Sequence, residues 1–294
     1  MNRTQELNPA ALFYGQGPGQ RLLRQALGRL QALSPGLTAS LAYQFFITPL
    51  PLKRAARRRP VPAVWQLQRW RLGARELALW QRPAPGVARA RVLLVHGWAG
   101  DAQQMRPLGD ALWEAGLEPW LLDLPGHGRS SGWQTHLPEF VELLGQVGQR
   151  LGPLQGLVGH SLGALAASQA LARGKLEASR LALLACSAPP REVLGWYGAS
   201  LGLGREVLGR LRQRLEGLSG HGLEQFEPPW LATRLHQPTL LLHDRADRAA
   251  PMAVSERLAA ALPAAQLLPT EGLGHRRLLA DTAVLAAISR HLGP

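Results

Sequence analysis

Cysteine occurs once in the 294 residues, at Cys186, so no disulfide can form within the chain. Lysine occurs only at Lys53 and Lys175, and arginine therefore carries almost all of the formal charge of +13. No apolar run is long enough to span a bilayer: the stretch 37–52 is interrupted by Thr38, Ser40, Gln44, Thr48, Pro49 and Pro51. The opening Met1-Asn2-Arg3-Thr4-Gln5-Glu6-Leu7 lacks the basic and then apolar pattern of a secretory signal, so a cytoplasmic location is expected. Neither an H-E-x-x-H motif nor a cysteine pair occurs, and no metal or other cofactor is expected. No helix-turn-helix, zinc-finger spacing or aromatic-studded sheet accompanies the arginines, so they read as solvated surface and not as a nucleic-acid interface. One cluster stands apart, Lys53-Arg54-Ala55-Ala56-Arg57-Arg58-Arg59. Two readings of residues 37–59 are open: a helix packed on the domain with a solvated basic run after it, or a peripheral contact with an anionic membrane.

What is present has the rhythm of an α/β protein. Residues 10–50 read as helical, with Leu22, Leu23, Leu27, Leu30 and Leu33 at helical spacing before Ser34-Pro35-Gly36 breaks the pattern. The division expected is a helical extension over 1–62 and a larger α/β domain over 63–294. Gly15-Gln16-Gly17-Pro18-Gly19 looks like a phosphate loop, but no strand precedes it and it reads as a turn. Alternation in 64–70 and 76–80 predicts two antiparallel strands joined through Gly73. Short apolar runs at 92–95, 119–122, 156–158 and 181–184 then alternate with helical segments at 102–115, 137–151 and 161–172. Two more βα pairs follow, 239–242 with 252–261 and 265–268 with 276–291. Such alternation implies a mostly parallel sheet covered by helices on both faces. Between 189 and 238 the strand rhythm stops, which reads as a helical lid insertion over the sheet's carboxyl edge. Cys186 follows the apolar run 181–185 and reads as a small buried hydrophobe.

Three polar loops fall at carboxyl ends of predicted strands, where open parallel sheets bind ligands. They are His96-Gly97-Trp98-Ala99-Gly100, Asp123-Leu124-Pro125-Gly126-His127-Gly128-Arg129-Ser130, and Gly159-His160-Ser161-Leu162-Gly163. The last places a serine between glycines on a strand-to-helix turn, where a weak nucleophile can be projected and the strained backbone accommodated. Asp123 and His127 read as residues that fix their own loop, and His96 as a brace for the first loop.

In this order and spacing the motifs resemble the α/β-hydrolase superfamily, specifically its serine esterase and lipase-like branch, over about residues 64–292. The resemblance implies Ser161 as nucleophile, with the backbone N–H groups of Leu162 and Trp98 as oxyanion hole. It implies a triad in the order serine, acid, histidine. Among the downstream histidines, His275 stands in a loop after a strand and matches the family's base. For the acid, the family's spacing to Pro251 selects Asp247, with Asp244 as the competitor. His160, Trp196 and Trp230 are candidate pocket residues, and Arg276 and Arg277 either favour an anionic substrate or face solvent. The expected function is hydrolysis of small-molecule carboxylic esters or thioesters through an acyl-enzyme. The alternatives are acyl transfer or cofactor-free peroxidation on the same triad, or a non-catalytic binding protein on this scaffold.

Overall fold

The computed structural model describes residues 17–49, 53–83, 86 and 88–293. The apparent glycine loop at 15–19 lies partly outside the described residues, as do the start of the chain and Leu50 to Leu52. The chain opens with helices α1 (Pro18–Leu33) and α2 (Pro35–Phe46), then a short α3 (Lys53–Arg58). Ser34 separates the first two because it leaves the helical region, and its side chain accepts the Leu37 N–H while Pro35 occupies the first turn of α2.

Eight strands form one sheet: β1 (Gln66–Leu72), β2 (Arg75–Gln81), β3 (Arg91–Val95), β4 (Glu118–Asp123), β5 (Leu154–His160), β6 (Ala178–Leu184), β7 (Thr239–Asp244) and β8 (Ala265–Thr270). Their spatial order is β1-β2-β4-β3-β5-β6-β7-β8; β2 runs antiparallel to both β1 and β4, and the pairings among β3 to β8 are parallel. Leu72 pairs with Arg75, and the turn between them uses Gly73 at φ +57°. The remaining helices are α4 (Arg106–Glu114), α5 (Leu137–Leu151), α6 (Leu162–Ala172), α7 (Pro190–Leu201), α8 (Arg205–Ser219), α9 (Pro228–Ala232), α10 (Ala253–Ala261), α11 (Gly274–Arg277) and α12 (Thr282–Leu292).

The strand period of two sorts the core into layers. Leu93 and Val95 of β3, Leu157 of β5 and Leu183 of β6 pack against Phe140 and Leu144 of α5 and Ala166 of α6. Their neighbours Val92, Leu94, Val158 and Leu184 face the other way, against Leu108 and Leu112 of α4 and Ile288 and Leu292 of α12. Both faces of the sheet are thus covered, as the continuous apolar strands imply, and each buried leucine contributes roughly 1.5–3 kcal/mol. Cys186 is buried, and burial pushes its thiol up to about 12.

One element differs from expectation. The single helix anticipated at 276–291 is broken into α11, a 3-10 turn at Leu278–Ala280, and α12. Asp281 causes the break: its carboxylate accepts the Ala283 and Val284 N–H groups and so starts a new helix.

A third, smaller core lies apart from the sheet. Leu27, Ala39, Ala42 and Tyr43 of the first two helices pack on Leu194 and Tyr197 of α7 and Val207 and Leu211 of α8. The Tyr197 hydroxyl donates to the Ala42 carbonyl at 2.7 Å, and the rings of Phe46 and Tyr197 meet edge to face at 5.1 Å.

Candidate active site

The site is assembled at the carboxyl ends of β3, β5, β7 and β8. Ser161 links β5 to α6 with φ +55° and ψ −121°, a backbone conformation that a residue with a Cβ rarely adopts. The turn is tight on every side. A Cβ on Gly159 would lie 2.4 Å from the Ala164 Cα, and one on Gly163 would lie 2.3 Å from the His96 carbonyl oxygen. Only glycine therefore lets α6 come this close to β5 and to the loop after β3. The Ser161 N–H donates to the Leu184 carbonyl at 2.9 Å, which ties the turn to β6.

The loop after β3 runs against this turn, with Gly97 so close that a Cβ there would lie 2.7 Å from the Ser161 Cβ. Two buried histidines hold it. His127 donates from Nδ1 to the Pro125 carbonyl and accepts the Ala99 N–H at Nε2, 3.0 Å away. His96 donates from Nδ1 to the Gly97 carbonyl and accepts the Leu124 N–H. Carbonyl oxygens only accept, which assigns both tautomers. Burial holds the His96 imidazole below its ordinary pKa, against the pull of Asp123. Asp123 completes the brace by accepting the N–H groups of Ala102 and Arg129 and the Trp80 indole. Ala99 and Gly100 spend their N–H groups on His127 and Gly97, and the Trp98 N–H meets no acceptor among the described residues. The Leu162 N–H opens α6, where a helix leaves its first donors without intrahelical acceptors.

Asp247 and His275 meet directly, with His275 Nδ1 donating to Asp247 Oδ2 at 2.7 Å. A carboxylate can only accept, so this bond leaves His275 Nε2 as the basic nitrogen. The Asp247 side chain is sealed from solvent, whereas that of His275 is 16% exposed. Burial raises the Asp247 pKa, but the adjacent His243 and His275 imidazoles and the Ala250 N–H outweigh it, and the carboxyl is held well below the carboxylate range. Asp244 is occupied otherwise: it accepts from the Ala246 and Leu273 N–H groups and from the Thr270 hydroxyl, shaping the loop that carries His275.

Two histidines lie around this pair. His243 is fully buried, donates from Nε2 to the Ala250 carbonyl at 2.8 Å, accepts from Ser255 and stands 3.4 Å from Asp247 Oδ2. The sequence carries one signal for it, its place at the end of β7 four residues before Asp247. His160 stacks on His275 with ring centroids 4.7 Å apart and donates from Nε2 to its backbone carbonyl at 2.8 Å.

An apolar cavity of about 140 Å³ opens beside Ser161. Trp98, Leu162 and Leu165 line it from the sheet side, and Val193, Trp196, Leu215, Leu223 and Phe226 from the insertion. Phe46 and Ile47 at the end of α2 complete the wall, a contribution not anticipated from the sequence. Of the three candidate pocket residues, Trp196 takes that position and two do not. His160 is buried behind His275 by its carbonyl hydrogen bond. Trp230 is drawn away between two guanidinium groups, those of Arg173 and Arg234, 4.6 and 4.3 Å from its ring. Arg277 is bound to the carbonyls of Gly272 and Leu273 and staples the His275 loop, while Arg276 faces solvent. Among the described residues, no group of three or more His, Cys, Asp or Glu is arranged to hold a metal ion.

Comparison with known proteins agrees with this architecture. The family described as serine aminopeptidase, S33 matches residues 86–224, and the family described as TAP-like protein matches residues 224–293. No curated protein matches the chain by sequence. Solved structures of similar fold include a membrane phospholipase A, described as a bacterial virulence factor, at 18% identity, TM-score 0.60, covering 93% of this chain and 96% of that one. A monoacylglycerol lipase from Paleococcus ferrophilus matches at 22% identity and TM-score 0.53, covering 69% and 93%. A thioesterase domain from the curacin biosynthetic pathway matches at 19% identity and TM-score 0.58, covering 78% and 98%. The two family matches, which run end to end from residue 86 to residue 293, place the chain in the α/β-hydrolase superfamily, whose fold these solved structures share.

Proposed function

We propose that the protein is a serine hydrolase of carboxylic esters or thioesters with an apolar acyl group. The observation that carries this reading is the 2.7 Å contact of His275 Nδ1 with a buried, ionised Asp247, in a site where Ser161 stands at a strained turn beside an apolar cavity. Ser161 Oγ attacks the substrate carbonyl while its proton passes to His275 Nε2. The imidazolium is stabilised by Asp247, and the oxyanion is met by the N–H groups of Leu162 and Trp98. Collapse expels the alcohol or thiol with the proton from His275, leaving the acyl group on Ser161. Water, deprotonated by His275, then releases the acid. The cavity supports the acyl preference, since apolar side chains such as Trp98, Leu162, Leu165, Trp196 and Leu223 make up most of its wall. The named activities of the lipase, phospholipase and thioesterase of similar fold are of the same kind.

Labelling with a fluorophosphonate probe tests the reading. The wild type is expected to label, and Ser161→Ala and His275→Ala to lose labelling by at least about 10³-fold. A folded wild type that stays unlabelled by small probes and cleaves no ester or thioester of graded acyl length overturns it.

A further inference from the structure

We propose that the outer face of the α1–α2 hairpin is a docking surface for an anionic lipid layer. On α2, Thr38, Ala39, Ala42 and Tyr43 face inward and are buried. Leu37, Leu41 and Phe45 recur every fourth residue on the opposite side and stand 52%, 41% and 45% exposed. Leu33, at the break between the two helices, is 85% exposed. A contiguous apolar stripe of this kind is not a feature that water favours, and in soluble proteins it marks an interaction site.

Trp133 extends the stripe. Its neighbour Gln134 bonds to Gln44 at 2.6 Å and Thr48 at 3.2 Å, which brings the half-exposed indole beside the last turn of α2. The Arg57 guanidinium lies 5.9 Å from the indole ring. Aromatic and aliphatic side chains rimmed by arginine are the composition of a segment that lies in a membrane interface, the rings and chains entering hydrocarbon and the guanidinium groups meeting headgroups.

Charge names the partner. No acidic residue occurs between Glu6 and Glu76, while eight lysines and arginines fall between residues 17 and 59. Two copies of so basic a segment repel each other, which disfavours self-association, whereas anionic headgroups attract each basic residue near the surface. The position fits as well, because Phe46 and Ile47, next along α2 from Phe45, line the cavity beside Ser161. Docking is a property of this surface and does not depend on the role of Ser161.

Co-sedimentation of the full chain with vesicles of phosphatidylcholine, with and without phosphatidylglycerol, tests the proposal. Binding is expected only with the anionic lipid and falls steeply as salt is added. The triple variant Leu37→Ser, Leu41→Ser, Phe45→Ser is expected to weaken binding on the order of tenfold or more, and Arg29→Gln with Arg58→Gln on the order of tenfold. All five positions are exposed, so both variants are expected to melt with the wild type, which separates lost docking from lost folding. Wild type that stays in the supernatant at low salt, or a triple variant that binds equally well, overturns the proposal. So does a wild-type dimer that the triple variant dissociates while vesicle binding is unchanged, since the stripe would then belong to a second copy.

Discussion

Asp244 and Asp247 are three residues apart and differ in what their oxygens have left to offer. Both oxygens of Asp244 are taken by loop N–H groups and the Thr270 hydroxyl. Asp247 gives Oδ1 to the N–H groups of Ala249 and Ala250 and keeps Oδ2 for His275. This division supports Asp247 as the acid in the proposed mechanism and Asp244 as the residue that shapes the His275 loop. His160 poses a different problem, because it is completely buried as a neutral imidazole. Burial first, and the adjacent His275 second, push its pKa down to about 3 from an ordinary 6.5. The unfolded chain therefore binds a proton that the folded one refuses, so His160 contributes stability in full above pH 6.5 and loses it as pH falls toward 3. Between pH 7 and pH 5 this one residue is expected to cost about 2 kcal/mol of folding stability. Urea unfolding at the two pH values checks it: His160→Gln, which keeps a donor for the His275 carbonyl, is expected to flatten the pH dependence. An unchanged slope in the variant removes His160 as its source. The residue's true place was not legible from its chain neighbours, since its partner is a backbone carbonyl 115 residues away. The same holds for Trp230, whose position is decided by Arg173 and Arg234.

At the scale of the element, the turn from β5 into α6 concentrates the strain. Ser161 at φ +55° and ψ −121° stores roughly 1–3 kcal/mol that the surrounding hydrogen bonds and close packing must hold. Ser161→Gly relieves this at the cost of about 0.5–1 kcal/mol in unfolded-chain entropy, so the variant is expected to be more stable than wild type by roughly 1 kcal/mol while losing probe labelling. Ser161→Ala keeps the Cβ, and with it the strain, and is expected to melt with the wild type. Equal melting of the glycine and alanine variants would show that the turn is not strained. This turn was legible in the chain because close packing demands glycine at 159 and 163, a requirement that sequence carries locally. The C-terminal helix was less so: its apolar spacing runs through 276–291, and the cap at Asp281 that divides it competes with that pattern.

Over the whole molecule, the central sheet could be read from the chain because β3 to β7 carry short apolar runs between turns, and a run buried on both faces has few other uses, while β1 and β2 show as alternation. The cavity could not. Its wall joins Phe46 and Ile47, which precede the first strand, to Leu215, Leu223 and Phe226, which precede β7, and no local pattern records that two segments so far apart meet. The small core of Tyr43, Tyr197 and Leu211 holds them together, so the N-terminal hairpin and the insertion enclose the space as one unit. Cavity shape should therefore respond to side chains at this seam without disturbing Asp247 or His275. Leu215 of α8 lies there, buried and on the cavity wall. Leu215→Trp fills space that a long acyl chain would occupy and leaves the region next to Ser161 open to a short one. Each methylene excluded from an apolar pocket is worth about 1–3 kcal/mol in specificity, so kcat/KM for medium-chain relative to acetyl esters is expected to fall on the order of tenfold or more. A matched loss for both chain lengths, with unchanged probe labelling, would mean that the acyl group lies elsewhere than between the hairpin and the insertion.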